Sequence, residues 1–170
     1  MNERLEYQQL ECYKLANDMQ KEKLNREPYF DLGKLPGKQL QTEFAEYIYY
    51  RGTQVSILTI KAERQHFNSL CEFFKKPSHQ KNSLLDKEKD IWIKQLKLWM
   101  MQNGRALTKH KVTSIQTESV EKAALIRYFE NLLEFTLDRS ETNELAKDIW
   151  YLETVSYTHL RAHETRRHLV

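Results

Sequence analysis

Glycine and proline are scarce in this chain of 170 residues, which contains four glycines and three prolines. Sheets need frequent turns, and turns depend on these two residues, so the composition favours long helices over a turn-rich β-sandwich. Leucine, lysine, glutamate, glutamine and tyrosine are abundant instead. The composition therefore predicts an all-α protein with one compact core.

Long apolar segments are also missing. No run approaches the roughly 20 apolar residues that span a bilayer, and the N-terminus lacks the apolar stretch of a signal peptide. Cys12 and Cys71 stand in helical patterns without C-x-x-C spacing, which favours buried reduced thiols over a disulfide or a metal site. We therefore expect a cytoplasmic protein without a membrane partner.

The sequence contains no glycine loop of the G-x-x-x-x-G-K-[ST] or G-x-G-x-x-G type, so nucleotide-dependent catalysis is not expected. Before residue 155 the histidines are His66, His79 and His110, and none has metal-ligand spacing with another His or Cys. Each is predicted to lie at the surface or to be satisfied by a neighbour. We expect no active site, no cofactor, no metal and no small-molecule substrate.

The segment from Val155 to Thr165 reads VSYTHLRAHET, which resembles the translation of a transposase-type sequencing adapter. Such a long run of consecutive matches is hard to obtain by chance. We therefore expect residues 155–170 to be non-native and the native sequence to stop near Thr154, as a truncated fragment. A real basic tail that binds nucleic acid is the alternative.

Charge is unevenly distributed over the first 154 residues. Residues 1–50 have a net charge of −2, residues 51–111 hold 13 basic and 5 acidic side chains for a net +8, and residues 112–154 have a net charge of −5. A concentrated positive stretch suits a phosphate-facing surface, because neutralising phosphates releases condensed counterions. A solvated helix face is the alternative explanation.

Apolar residues recur at three- and four-residue intervals, which predicts a series of amphipathic helices. These helices are expected over residues 3–24, 38–50, 56–76, 86–103, 117–137 and 141–152. Gly52 is a plausible left-handed stop for the second helix, Ser56 is expected to cap the third, and Pro77 should end it.

The turn-forming residues between 26 and 38 predict a linker or an ordered loop, and a domain boundary there. Residues 1–37 would then be an N-terminal helix and linker, residues 38–138 a four-helix domain, and residues 139–154 the start of a following helix. The side chains expected to be buried together in the domain are Phe44, Ile60, Phe67, Leu70, Trp99, Tyr128 and Leu132.

The helical motifs in residues 38–138 are similar to those of one protein family. The first two helices carry Phe44-x-x-Tyr47-Ile48, Arg51, Val55-Ser56-x-x-Thr59-Ile60 and Arg64-x-x-Phe67-x-x-Leu70-Cys71-x-Phe73-Phe74. The next two carry Trp92-x-x-x-Leu96-x-x-Trp99 and Tyr128-Phe129-x-x-Leu132-Leu133-x-Phe135. In order and spacing these motifs resemble the four-helix core-binding (SAM-like) domain of tyrosine recombinases of the phage-integrase type.

The resemblance implies the DNA-binding domain of a site-specific recombinase, which clamps duplex DNA for integration or recombination. In that family a separate catalytic domain follows and carries the catalytic residues, so no residue of this chain inherits a catalytic role. The partners implied are double-stranded DNA and other recombinase protomers.

The residues that we expect to contact DNA come from three places, because phosphate contacts typically come from Lys, Arg and short polar side chains near helix N-termini. They are Arg51, Lys61, Arg64 and Lys75 on the helical surface, Thr53, Gln54 and Ser56 at a helix entrance, and Arg105, Lys109 and Lys111 in the later loop.

A helical protein-interaction module, such as an adaptor or a phage assembly factor that does not bind nucleic acid, is the alternative function. The acidic last third suits that function, and equally suits contact with a neighbouring protomer. The gene beyond Glu153 would separate the two hypotheses, because an Arg, Lys, His and Tyr constellation there would favour the recombinase.

Overall fold

The computed structural model describes residues 3–24, 27–103 and 115–160, and within the last range it describes the side chains of residues 121–143. The chain divides into two compact units, Met1–Glu134 and Phe135–Val170. The all-α expectation is confirmed, with the addition of one small two-stranded sheet. The boundary predicted near residue 37 falls inside the first unit.

Four longer helices follow one another in the chain: α3 (Lys38–Gln54), α4 (Ile57–Lys75), α5 (Lys89–Gln102) and α6 (Ile115–Leu160). Ser56 caps α4 as expected, since its side chain accepts a hydrogen bond from the backbone N–H of Thr59. Two short 3-10 helices, Pro77–His79 and Leu84–Asp86, lie between α4 and α5. Gly37 precedes α3 with a φ of 103°, a backbone conformation that favours glycine.

The prediction of one helix over residues 3–24 was wrong. A strand β1 (Arg4–Glu6), a 3-10 turn (Tyr7–Gln9) and two short helices, α1 (Glu11–Lys14) and α2 (Asp18–Glu22), occupy this segment. Asn17 interrupts the helical path, because its side chain caps α2 by accepting from the backbone N–H of Gln20. Leu15 and Met19, whose four-residue spacing fits a helical apolar stripe, are 80% and 67% exposed.

The strand β1 pairs antiparallel with β2 (Tyr29–Asp31), in a register that sets Leu5 opposite Phe30. Both of these side chains are buried. The ring of Phe30 meets Phe67 of α4 edge to face, with 5.2 Å between ring centroids. The described part of this segment, residues 27–38, therefore belongs to the packed unit and does not serve as a linker.

Gly52 does not stop α3, which continues to Gln54. A Cβ atom at this glycine would lie 3.2 Å from the Cβ of Leu10. Glycine therefore allows a close approach of the N-terminal segment to α3 and does not serve a left-handed turn here.

The helix α6 runs without a break through the junction at which the sequence predicted two helices. The hydroxyl of Thr142 donates to the carbonyl of Asp138, four residues earlier, which is compatible with a continuous helix. In the second unit the described residues form this helix alone. The predicted tail, residues 155–170, lies outside the residues whose side chains are described.

An aromatic cluster fills the centre of the first unit. Phe73 contacts Trp92 and Trp99 of α5 and Phe129 of α6, with 5.7–6.3 Å between ring centroids. Because these two tryptophans are seven residues apart, they lie on one face of α5, and that face packs against Phe73 near the carboxyl end of α4. All seven side chains predicted to form the core are buried, so that prediction is confirmed.

Candidate nucleic-acid interface

Two of the predicted DNA contacts hold the N-terminal segment to α4. The Nε of Arg64 donates to the carbonyl oxygen of Tyr29 at 2.7 Å, and its Nη2 lies 2.6 Å from a carboxylate oxygen of Glu27. The Nζ of Lys61 donates to the carbonyl oxygen of Lys23 at 2.6 Å. The Arg64 side chain is only 17% exposed. Both side chains therefore hold the N-terminal segment against α4, and a phosphate would have to compete with their existing partners.

Arg51, also predicted to meet DNA, joins α3 to α4. Its Nη2 lies 2.6 Å from the Oε1 of Glu63, and its Nε donates to the same carboxylate, which makes a fork-like charge-assisted contact. Lys75 forms an exposed pair with Glu72 at 2.7 Å, and the hydrogen bond to that carboxylate raises the pKa of Lys75. In both pairs an adjacent carboxylate cancels much of the field that a phosphate would feel.

The polar residues predicted at the entrance of α4 are exposed, but they bond to one another locally. Thr53 donates to the carbonyl of Tyr50, and Gln54 donates to the hydroxyl of Thr53. Ser56 is occupied as the cap of α4. The last three predicted contacts, Arg105, Lys109 and Lys111, lie outside the described residues. The described members of the predicted set thus form separate local contacts and not one free basic surface.

A different group of cations lies where the chain turns from α4 into α5, and we call Lys76, His79, Lys81 and Lys87 the basic corner. Within the described residues none of its three lysines forms a salt bridge. Lys76 donates to the side chain of Gln102 and Lys87 to that of Gln95. Amide partners leave the positive charge of these lysines uncompensated.

The charges of the basic corner act on one another. Burial lowers the pKa of Lys87, and the ammonium group of Lys81 lowers it further. The Nζ of Lys87 also lies 4.5 Å from the centroid of the Trp92 ring, at the distance of a cation–π contact. Like charges held near one another raise the local positive potential, which is the condition that attracts an anion.

The helical pattern did not reveal this corner, because the stretch 77–85 lies between two predicted helices and has no helical pattern of its own. A signal was available, since Lys76 and Lys87 flank that stretch and Lys81 lies within it, while the only acid between residues 76 and 87 is Asp86. Asp86 is itself used locally, accepting from the backbone N–H groups of Asn82 and Ser83.

A functional assignment rests on the residues of the chain itself. No protein family model, curated protein or solved structure matches it. In the part of the chain that is described, no cluster of three or more His, Cys, Asp or Glu side chains could hold a metal ion. Nor does that part contain a helix of the length and apolarity needed to cross a bilayer.

Proposed function

We propose that this chain binds duplex DNA through its phosphate backbone, with the basic corner as the contact surface. The observation that supports the proposal is the grouping of Lys76, Lys81 and Lys87, which no described carboxylate neutralises. Each lysine that neutralises a phosphate releases condensed counterions, and that release supplies most of the non-specific affinity of a protein for DNA. The resemblance to the core-binding domain of tyrosine recombinases favours the same ligand.

The contact set differs from the one that the sequence predicts. Arg51 and Arg64 are paired with carboxylates, so we assign them to the stability of the domain. Lys61 donates to a neutral carbonyl oxygen and stays a predicted contact. Arg105, Lys109 and Lys111 remain predictions. Within this proposal the chain holds DNA and catalyses nothing itself, and association with other recombinase protomers on DNA also remains a prediction.

The test is the salt dependence of duplex binding by the full chain. The variant Lys76→Gln/Lys81→Gln/Lys87→Gln removes three charges but keeps most of each aliphatic stem. We expect the slope of log K against log salt to become shallower by about 0.9 for each phosphate that the variant no longer neutralises.

A matched control, Lys14→Gln/Lys34→Gln/Lys38→Gln, removes three charges from the first 38 residues. It has the same net charge as the corner variant, so the difference between the two variants isolates position from total charge. Equal reductions of affinity in both variants, or no binding of a duplex by the unmodified chain at 50 mM salt, would refute the proposal.

One observation favours the alternative function, a protein-interaction module. Ile91, Leu98 and Met101 are 46%, 50% and 79% exposed, and their spacing puts them on the outward side of α5, opposite the buried Trp92 and Leu96. Exposed apolar side chains grouped on one helix face are typical of a surface that docks a partner.

The same binding experiment separates the two functions when Leu98→Glu/Met101→Glu is added. Both side chains are exposed, so the fold should tolerate the change. The proposal of DNA binding predicts that this variant loses less than about twofold in duplex affinity beyond the effect of its added negative charge. That effect is measured with the control Leu15→Glu/Met19→Glu, which changes the same two exposed residue types in the N-terminal segment. A chain that fails to bind DNA at low salt would leave the interaction module as the better assignment.

A further inference from the structure

The imidazole of His79 is held in a single orientation within the basic corner. Its ring stacks on the ring of Phe73, with 4.1 Å between centroids and 17° between planes. Its Nδ1 lies 2.9 Å from the carbonyl oxygen of Phe73. A carbonyl only accepts hydrogen bonds, so Nδ1 must carry the hydrogen. Nε2 is therefore the atom that holds the lone pair and takes up any further proton.

The electrostatic surroundings of this ring are positive. Burial lowers the pKa of His79, the hydrogen bond to the Phe73 carbonyl opposes that shift, and the ammonium groups of Lys87 and Lys76 add to it. The nearest acids along the chain, Glu72 and Asp86, are engaged with Lys75 and with two backbone N–H groups. The imidazole is thus neutral at pH 7 with positive neighbours that an anion could neutralise.

We propose that the basic corner is a proton-coupled phosphate site, in which a phosphate group binds beside Lys76, Lys87 and the Nε2 of His79 and a proton is taken up at Nε2. This inference rests on the proposed function, because the phosphate would come from the DNA backbone. The bound phosphate offsets the repulsion from the two lysines. It also provides an acceptor for the new Nε2–H, in the manner of other charge-assisted contacts.

Linkage fixes the sign of the effect. A ligand that raises the pKa of a group binds more tightly as the pH falls through the window between the pKa of the free protein and that of the complex. One coupled proton gives at most about a tenfold gain in affinity for each pH unit within the window. Above both pKa values the coupling no longer affects affinity.

The experiment is a pH titration of the full chain with isotope-labelled histidine, followed by NMR with and without a 16-base-pair duplex. The pKa of His79 should rise when the duplex is added, and duplex affinity should increase as the pH is lowered from 7.5 to 5.5. The variant His79→Asn identifies the resonance. Its amide can still donate to the Phe73 carbonyl, but it cannot titrate.

In His79→Asn the contribution of this residue to the pH dependence should disappear, although other histidines of the chain could still contribute some. The NMR titration of the unmodified chain stands by itself if the variant folds poorly. A second titration uses 20 mM inorganic phosphate in place of the duplex, and a raised pKa there would support a site that accepts a free phosphate group.

The outcomes separate this inference from the proposed function. Tight duplex binding with an unchanged pKa of His79 would overturn the proton coupling and leave DNA binding in place. A pH dependence of affinity that is the same in His79→Asn as in the unmodified chain would overturn it as well. Failure of the chain to bind the duplex at any pH would overturn both.

Discussion

Glu43 is a buried carboxylate that ties α3 to the loop before α5, and its removal should destabilise the first unit. The residue is 5% exposed. Its Oε1 accepts from the buried backbone N–H of Leu84 at 2.9 Å, and its Oε2 accepts from the hydroxyl of Ser83 at 2.6 Å. The carbonyl of Leu84 in turn accepts from the indole N–H of Trp92 at 2.8 Å. Glu43 thus positions the residue that holds the central tryptophan.

The variant Glu43→Ala leaves the N–H of Leu84 without its charged acceptor. A hydrogen bond to a charged group contributes about 1.5–3 kcal/mol, and an unsatisfied buried donor costs about 1–3 kcal/mol. The two figures describe overlapping effects, so we expect the free energy of unfolding to fall by about 2–4 kcal/mol. For a chain of this size each kcal/mol corresponds to roughly 3 °C in Tm, which gives a decrease of about 6–12 °C.

Urea unfolding and calorimetry of three variants test this reasoning. Glu43→Gln keeps an acceptor for Leu84 and should be clearly less destabilised than Glu43→Ala. Glu22→Ala removes an exposed carboxylate of α2 and should stay within about 0.5 kcal/mol of the unmodified chain. A destabilisation below about 1 kcal/mol in Glu43→Ala, or equal destabilisation in the Ala and Gln variants, would refute the role assigned to this carboxylate.

Three further properties can be tested in the same protein. Gly52→Val places branched carbon against Leu10 and should lower the free energy of unfolding by about 1–3 kcal/mol; an unchanged urea midpoint would contradict the close contact. Burial lowers the pKa of His66, so its neutral form favours folding. The stability that it contributes should be complete above a pH of about 6.5 and should decline as the pH falls below that value. The decline is measured by comparing urea midpoints at pH 7.5 and 5.5, and it should be smaller in His66→Gln. Burial raises the pKa of Cys71 to about 12, so a thiol reagent should label it in urea but not in the folded chain, and rapid labelling of the folded chain would contradict its burial.

The sequence alone predicted the helices best where strong local signals and an apolar stripe coincide. The helix α4 begins after the cap Ser56 and ends before Pro77, and its stripe of Ile60, Phe67 and Leu70 is buried. The apolar periodicity was misleading in the N-terminal segment, because Asn17 favours a cap over a helix interior. The pairing of that segment with residues more than 20 positions away is not recorded in local periodicity.

The candidate site was harder to predict than the fold, because the sequence gives the charge of a residue but not its partner. Arg64 and Glu27 are 37 residues apart, and Arg51 and Glu63 are 12 apart, so neither pair could be recognised before the fold was known. The charge total of the middle third was informative, and it includes the basic corner. Tertiary contacts alone decide which cations of the middle third lack a carboxylate partner.

The contact between the N-terminal segment and α4 also has a consequence for synthesis of the chain. Phe30 leaves the ribosome before Phe67, the side chain that covers it, and 37 residues separate them. At a synthesis rate of roughly 5–20 residues per second, about 2–7 s pass between the synthesis of Phe30 and that of Phe67. During that interval Tyr7, Leu10 and Phe30 are apolar groups on an unfinished chain, and a chaperone that binds such groups would have its best opportunity there. Slow codons between residues 30 and 67 would lengthen the exposure, and should lower the yield of folded protein without changing its final stability.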